Sequence, residues 1–303
     1  MNKLFFKKYF YKYTNKEKYR NLKEEIRFAN RKSKLTSDFY NKISEIQKNI
    51  KEEKTLNFKH SGHIGDVMYA LPVIQELSKT HTCNLVIQVN KPTSYAHKHT
   101  SGNVYINEKL FSKFLPLLDN IKYLNKVKKL ENQKIHIDLD LFREFPFQLN
   151  FITVRWFSQL TAVFPDFSKP CLEVEPHSSI KNKVVIIRTF RARNSFVDYS
   201  FLKNYDDLLF VGLPDEYEDL KKSVPNLEFY DVKDFLELAQ MIKASRFYLG
   251  NQSFGFAVAE CLKVPRLLEA YADFPVVHPI GGNGADFYFQ QHFEELFDTF
   301  YKL

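Results

Sequence analysis

Two side chains near the start of a predicted helix, His63 and Asp66, are of types that accept a proton in catalysis. The connection before the helix contains Gly62 and Gly65, which would let a ligand approach the backbone and the free N–H groups of the helix. Imidazole titrates near neutral pH, whereas we expect the helix dipole to lower the pKa of Asp66 and to weaken it as a base. Asp66 also suits a structural role as a helix-capping carboxylate. The segment therefore predicts a ligand-binding turn with two alternative bases.

Three arginines, Arg188, Arg191 and Arg193, directly follow a second predicted strand. Ligands of parallel α/β sheets bind at the carboxyl ends of strands, and guanidinium groups bind phosphate oxygens with charge-assisted, forked hydrogen bonds. The spacing therefore indicates a diphosphate site, with a solvated charged loop as the alternative.

A further strand–loop–helix unit contains Asn251, Gln252 and Ser253, with Glu260 two turns into the helix. The Ser253 hydroxyl and the free N–H groups of the helix could bind a phosphate. Glu260 could face a ribose, or it could be an ordinary exposed helix residue. We therefore assign this unit to the same anionic ligand as the arginines.

Asp138 and Asp140 have the spacing of a metal-binding carboxylate pair. Their alternation with Ile135, Ile137 and Leu139 is instead typical of a half-buried strand. We therefore expect no metal ion and no cofactor.

Strands and helices must alternate to position these residues, which predicts two parallel sheets with helices on both faces. Residues 1–54 lack Gly and Pro and are predicted as helices, with a break and an N-cap at 36–38. The predicted strands span 56–59, 84–89, 121–124, 134–140, 184–188, 208–212, 247–250 and 266–270. The predicted helices span 66–79, 148–164, 215–223, 232–244, 253–263 and 287–302. Polar, proline-rich sequence near 172–182 predicts a boundary, giving an arm (1–54) and two domains (55–175 and 176–303).

The charge is distributed unevenly along the 303 residues. The net charge is +8, but residues 1–54 hold +9 and the rest holds −1. Because residues 55–303 are not basic, we do not expect this part of the chain to bind nucleic acid. The arm either packs on the body or contacts an anionic membrane surface or a partner through its aromatic and cationic residues.

Cys83, Cys171 and Cys261 are far apart and form no metal-binding or disulfide pattern. The sequence shows neither a signal peptide nor an apolar run of about 20 residues. We therefore expect a cytoplasmic protein, with peripheral contact at the inner face of the membrane if the arm binds lipid.

Three blocks together resemble the GT-B glycosyltransferases, closest to the heptosyltransferase-like proteins of glycosyltransferase family 9. The first is Gly65-Asp66 followed by Ala70-Leu71-Pro72, and the second is the basic loop from Arg188 to Arg193. The third runs from Asp234 to Pro265 and contains, in order, Leu238, Ala239, Ile242, Ala244, Gly250, Asn251, Ser253 and Ala259. The resemblance covers residues 56–300.

This resemblance implies two Rossmann-like domains that face each other across a cleft. It implies metal-independent transfer of a hexosyl or heptosyl group from a nucleotide sugar to the hydroxyl of a surface glycan or lipid-linked saccharide. Asp66 takes the place of the proposed base, and Arg188–Arg193 take the place of the residues that hold the donor phosphates. Where the family has Asp, Gly and His, this chain has Gln252, Phe254 and Ala257. The alternative is a non-catalytic nucleotide-sugar-binding or scaffold protein derived from such a transferase.

Overall fold

The computed structural model describes residues 3–33, 36–95 and 101–303. Its first part is helical: α1 spans Lys3–Thr14, α2 Lys16–Ser33 and α3 Ser37–Glu52. The predicted N-cap is confirmed, since the Thr36 hydroxyl accepts a hydrogen bond from Phe39 N at 3.1 Å. Residues 1–2 and 34–35 of the predicted arm lie outside the described residues. None of the described helices is both long and apolar enough to cross a bilayer.

The first sheet has four parallel strands in the order β3-β2-β1-β4. Its strands are β1 Thr55–His60, β2 Thr82–Ile87, β3 Lys126–Lys129 and β4 Ile137–Asp138. Its helices are α4 Ile64–Ser78, α5 Glu108–Asp119 and α6 Val154–Thr161. β1 lies between β2 and β4, so the glycine turn and Asp66 follow a central strand of this sheet.

Three sequence predictions in this domain are wrong. Residues 121–124 form a turn, and the strand follows them at Lys126–Lys129. The strand predicted over 134–140 is shortened to two residues, because the Asp138 carboxylate accepts a hydrogen bond from Asp140 N at 3.0 Å and starts a 3₁₀ helix over Leu139–Glu144. The helix predicted over 148–164 is shorter, and it ends at Ala162 in a left-handed conformation.

The second sheet has six parallel strands in the order β10-β9-β8-β5-β6-β7. Its strands are β5 Val184–Ile187, β6 Leu208–Val211, β7 Glu228–Tyr230, β8 Phe247–Asn251, β9 Arg266–Glu269 and β10 Gly284–Phe287. Its helices are α7 Pro214–Lys221, α8 Phe235–Ala244, α9 Phe254–Leu262 and α10 Gln290–Lys302, with a 3₁₀ helix at Ser200–Asn204. The prediction of two parallel α/β sheets is therefore confirmed.

One apolar core runs through both sheets. It includes Phe58 of β1, Trp156 of α6, and Ile187 and Tyr248 on one face of the second sheet. A second cluster covers the other face of that sheet, where α10 packs. Because both faces of the second sheet are covered, all four residues of β5 are buried.

A proline inside α4 contributes to the contact between the domains. Pro72 has no N–H, so it leaves the carbonyl of Met68, four residues earlier, without its helical donor. The thiol of Cys261 in α9 donates to this carbonyl at 3.4 Å. The carbonyl left unpaired in α4 thus accepts a hydrogen bond from a side chain of the other domain.

Candidate active site

Asp66 lies in the first turn of α4, at the carboxyl end of β1. Its carboxylate accepts a long hydrogen bond from Arg143 Nη2 at 3.4 Å and is 19% exposed. Burial raises the pKa of Asp66 to about 6, although Arg143 and Arg191 act in the opposite direction. The expected lowering by the helix dipole is wrong, because the dipole contributes only about 0.3–1 kcal/mol at an exposed site and desolvation outweighs it here. Asp66 therefore has a pKa suited to accepting a proton near neutral pH.

Arg143 is held in place by a second carboxylate, that of Asp140. Arg143 Nη1 donates to Asp140 Oδ1 at 2.5 Å, and the guanidinium lies over the rings of Phe142 and Tyr105 at 4.3 and 5.2 Å. Asp140 also accepts hydrogen bonds from the backbone N–H and the hydroxyl of Ser61. Arg143 is thus fixed between a buried carboxylate and Asp66.

Asp140 is ionised despite its burial. Burial alone would raise its pKa, but His60, the hydrogen bond from Ser61, and the charges of Arg143 and Lys59 together hold the pKa well below its usual range. Lys59 Nζ lies 3.2 Å from the carboxylate and also pairs with Asp138 at 2.9 Å. Both carboxylates of the Asp-Leu-Asp segment are therefore paired with cations.

The two glycines of the turn have different surroundings. A Cβ at Gly62 would overlap the Arg143 guanidinium, so this glycine makes room for Arg143. A Cβ at Gly65 would meet no atom within 4 Å, so its surface is open. Of the two, Gly65 is the position where a ligand can approach the backbone as predicted.

The two histidines of the turn differ in character. His63 precedes α4, and its ring lies 5.2 Å from that of Tyr105 and 5.7 Å from that of Tyr95. His60 is fully buried and accepts a hydrogen bond from Gly62 N at 3.0 Å, and burial lowers its pKa to about 3. His60 therefore stays neutral and shapes the turn, while His63 borders the site beside Asp66.

The Arg188 side chain is paired within the protein. It donates two hydrogen bonds to Glu269 at 2.8 and 3.0 Å, and its guanidinium lies 4.2 Å from the Tyr199 ring centroid. Glu269 also accepts from Tyr199 Oη and Asn194 N. This arginine supports the end of the sheet, and a ligand would have to compete with Glu269 for it.

Arg191 and Arg193 occupy different positions in the same loop. Arg193 donates to Asp219 at 2.7 Å and to Thr189 O at 3.0 Å. Arg191 is exposed, and its guanidinium has no hydrogen-bond or ion-pair partner among the residues that the structure describes, although its backbone carbonyl accepts from Thr189 Oγ1 at 3.1 Å. Its positive charge is among those that lower the pKa of Asp66, so the guanidinium is within electrostatic reach of that carboxylate. Arg191 is thus the arginine of the cluster available to an anion.

Asn251 organises this arginine loop. Its fully buried amide donates to Thr189 O at 2.9 Å and Arg191 O at 2.6 Å and accepts from Thr189 N at 3.0 Å. Gln252 is partly exposed next to it. Asn251 therefore positions the loop and does not itself face a ligand.

Ser253 is the N-cap residue of α9, but its hydroxyl makes no capping bond. The buried Ser253 Oγ and Tyr248 Oη both lack a hydrogen bond of good geometry, although Ser253 is close enough to influence the pKa of Tyr248. The Ser253 hydroxyl, which has no hydrogen-bond partner of good geometry, therefore lies at the same helix end as the first N–H groups of α9.

Glu260 is buried, so the expectation of an ordinary exposed helix residue is wrong, and a ribose would have to compete with the partners of its carboxylate. It pairs with the fully buried Arg266 at 2.5 Å and with Lys263, and accepts from Ile280 N at 3.2 Å. Its carboxylate neutralises two cations and fixes the loop near Ile280.

Phe254, which stands where the family has glycine, contributes to the contact between the domains. Its ring lies 5.6 Å from Phe114 of α5 and 4.6 Å from Phe235 of α8. Ala257, which stands where the family has histidine, is fully buried. The altered segment therefore contributes apolar packing at the two positions where the family pattern has glycine and histidine.

The residues that the sequence interpretation underestimated are Asp140 and Arg143. The contact of Arg143 with Asp66 and that of Asp140 with Ser61 depend on the pairing of β4 with β1, which local patterns do not reveal. Among the described residues there is no cluster of three or more His, Cys, Asp or Glu side chains that could hold a metal ion.

No protein-family model matches the chain, and no curated protein matches it in sequence. The structure is similar to a glycosyl transferase family 9 protein from Veillonella parvula DSM 2008, with a TM-score of 0.51 and 13% identity, over 83% of this chain and 90% of that one. It is also similar to the iron-containing dodecameric glycosyltransferase TibC from enterotoxigenic E. coli H10407, with a TM-score of 0.50 and 12% identity, over 77% of this chain and 62% of that one. At these identities the similarity establishes the fold. The chain thus has the two-domain GT-B fold of family 9 glycosyltransferases, and the fold implied by the sequence resemblance is confirmed.

Proposed function

We propose that this protein is a glycosyltransferase that moves a sugar from a nucleotide-sugar donor to a hydroxyl group of a saccharide acceptor. The observation that carries the proposal is the placement of Asp66 in the first turn of α4, at the carboxyl end of a central strand, where it contacts Arg143 at 3.4 Å. Burial raises the pKa of Asp66 to about 6, and Arg191 of the other domain is within electrostatic reach. A base near the acceptor and a cation near the leaving group are what glycosyl transfer requires on opposite sides of a cleft.

In this mechanism Asp66 removes the proton of the acceptor hydroxyl as the oxygen attacks the anomeric carbon of the donor. The bond between that carbon and the diphosphate breaks, and the diphosphate gains negative charge. Arg191, the first N–H groups of α9 and the Ser253 hydroxyl stabilise this charge without a metal ion. His63, beside the same turn, is the alternative base.

Arg143 keeps Asp66 in its reactive form. Its positive charge lowers the pKa of Asp66 against the effect of burial, so a useful fraction of the carboxylate is ionised at neutral pH. Asp140 holds the guanidinium in place and offsets part of its charge. The Asp140–Arg143 pair is therefore a positioning element for the base.

The second candidate function is a non-catalytic nucleotide-sugar-binding or scaffold protein. Phe254 favours it, because its ring packs with Phe114 and Phe235 between the domains, where the family pattern has a glycine. The ion pairs of Arg188 and Arg193 with Glu269 and Asp219 also leave fewer free cations for a diphosphate. This candidate predicts that a nucleotide sugar binds without turnover.

A panel of ADP-, GDP-, UDP- and CMP-linked sugars tests both candidates, first by thermal shift and then by release of the nucleotide. We expect Asp66→Asn to reduce transfer by about 10²–10⁴-fold and to leave nucleotide affinity nearly unchanged, since a positioned base contributes that factor. The exposed Asp119→Asn is the matched control and should keep wild-type rates.

The outcomes separate the assignments. Full turnover by Asp66→Asn would contradict its role, and loss of turnover in His63→Gln instead would transfer the role to His63. Saturable binding with no turnover of any donor would favour the scaffold candidate.

A further inference from the structure

Four aromatic side chains form a stripe along the outer face of α1. They are Phe6, Tyr9, Phe10 and Tyr13, and their exposed fractions are 59%, 49%, 63% and 78%. The spacing of three, one and three residues places all four on one face of a helix. Exposed aromatic residues this dense are not needed for folding, and they mark an interaction surface.

The stripe faces away from the rest of the protein. Tyr11, on the opposite face of α1, is partly buried, and Lys18 of α2 lies 5.9 Å from its ring centroid. α1 packs against α2, and nearly all described side chains of these two helices are exposed. The two helices therefore form a hairpin, residues 3–33, whose inner face is packed and whose aromatic stripe is exposed to solvent.

Lysines lie along both edges of the stripe. On a helical projection Lys7 flanks it on the side of Phe10, and Lys12 flanks it on the side of Tyr9. α1 contains four lysines and no acidic residue. An apolar stripe with cationic edges is the geometry of a helix that lies in the headgroup region of a bilayer, with aromatic rings inserted and lysines at the phosphate level.

The positive charge of the hairpin indicates that its partner is anionic. Residues 3–33 contain eleven Lys and Arg and three Glu, a net charge of +8 that equals the charge of the whole chain. The remaining residues are neutral overall, so attraction to an anionic surface acts on the hairpin alone. A nucleic-acid duplex would match the charge, but its bases are stacked on one another inside the helix, so it offers no apolar environment to the aromatic stripe.

We propose that the α1–α2 hairpin is a membrane-surface anchor that binds anionic phospholipid bilayers through the stripe of Phe6, Tyr9, Phe10 and Tyr13 and its flanking lysines. The anchor holds the GT-B body at the surface of the membrane. It is independent of the proposed transferase chemistry, because none of its residues belongs to the candidate active site.

The test is co-sedimentation of the full chain with vesicles of phosphatidylcholine, with and without phosphatidylglycerol. We expect binding only to the anionic vesicles, weakened by high salt. Phe6→Ser with Phe10→Ser should reduce binding by about tenfold or more, and Lys7→Gln with Lys12→Gln should reduce it by about fivefold for each lysine removed.

Matched controls lie on the body of the protein. Phe164→Ser, at an exposed phenylalanine, and Lys109→Gln with Lys181→Gln, at exposed lysines, should bind vesicles like the wild type. Circular dichroism of each variant checks that the helices are intact.

Equal vesicle binding by the wild type and the stripe variants would overturn the proposal. So would a wild-type protein that self-associates in solution through the stripe, which the serine variants would convert to monomers, because the occupant would then be a second copy of the chain. Neither result depends on whether a sugar donor has been found.

Discussion

The carboxylate of Asp66 and the guanidinium of Arg143 are 77 residues apart in the chain, yet each sets the electrostatic environment of the other. Asp66 is buried enough for its pKa to rise to about 6, and Arg143 limits that rise. Because the deprotonated carboxylate is the active base, transfer should fall as the pH drops through this pKa.

Replacing Arg143 by Gln tests this relation. We expect the pKa of Asp66 to rise by about one unit, since a close positive charge is lost, and the acid limb of the kcat/KM profile to move to higher pH by the same amount. The measurement is the pH profile of transfer, supported by NMR titration of the Asp66 carboxyl group.

Lys91→Gln is the control for this change. Lys91 contacts Asp140 at 3.6 Å and Ser61, but it is not among the groups that influence Asp66. An unchanged acid limb in Arg143→Gln would show that Arg143 has no influence on the base.

Part of this site could be predicted from the sequence. Gly65 and Asp66 are adjacent at the start of a helix, so local spacing indicated them. That Arg143 contacts both Asp140 and Asp66 could not be predicted, because these contacts depend on β4 pairing beside β1. The ion pair of Arg188 could not be predicted from local sequence either, because its partner Glu269 is 81 residues away.

At the scale of secondary-structure elements, the end of β9 is built around one buried carboxylate. Glu269 is fully buried and accepts hydrogen bonds from Arg188, Tyr199 and Asn194. It connects β9 to the arginine loop after β5, two strands away in the same sheet. The position of Arg191 at the cleft therefore depends on Glu269 as well as on Asn251.

Glu269→Gln should lower the free energy of unfolding by about 3 kcal/mol, because it leaves Arg188 largely buried without its counter-charge. Urea denaturation measures this. Glu228→Gln, which breaks the more exposed ion pair with Lys183, is the comparison and should cost less than about 1 kcal/mol. Equal losses in the two variants would contradict the structural role of Glu269.

Two strands that were not predicted at their observed positions, β3 and β7, show which kinds of strand lack a recognisable hydrophobic pattern. β3 consists of Lys-Val-Lys-Lys on the edge of its sheet, and β7 has three residues. Such strands are too short or too polar for an apolar pattern. The central strands β5 and β8 are buried throughout, and β1 alternates buried with partly exposed residues. All three were predicted within two residues of their bounds.

At the scale of the whole molecule, the two domains share one apolar core. The Cys261 thiol bonded to the Met68 carbonyl and the packing of Phe114 on Phe254 connect them directly. Such contacts favour unfolding of both domains in one step.

Trp156, the single tryptophan, lies in α6 next to the first sheet and reports on that domain. We expect its fluorescence and the far-ultraviolet circular dichroism to change at the same urea concentration, since a shared core makes the transition cooperative. A fluorescence transition clearly separated from the dichroism transition would show that the domains unfold independently.

The close approach of the Arg143 guanidinium to Gly62, which leaves no space for a Cβ, has an evolutionary consequence. Any side chain at position 62 would occupy the space of the guanidinium, and an arginine at position 143 needs that space to reach Asp66. A side chain at position 62 would displace this guanidinium from its contact with Asp66, so the two positions are expected to change together where that contact matters. Co-variation of these positions would distinguish descendants that retain this base from those that have abandoned it.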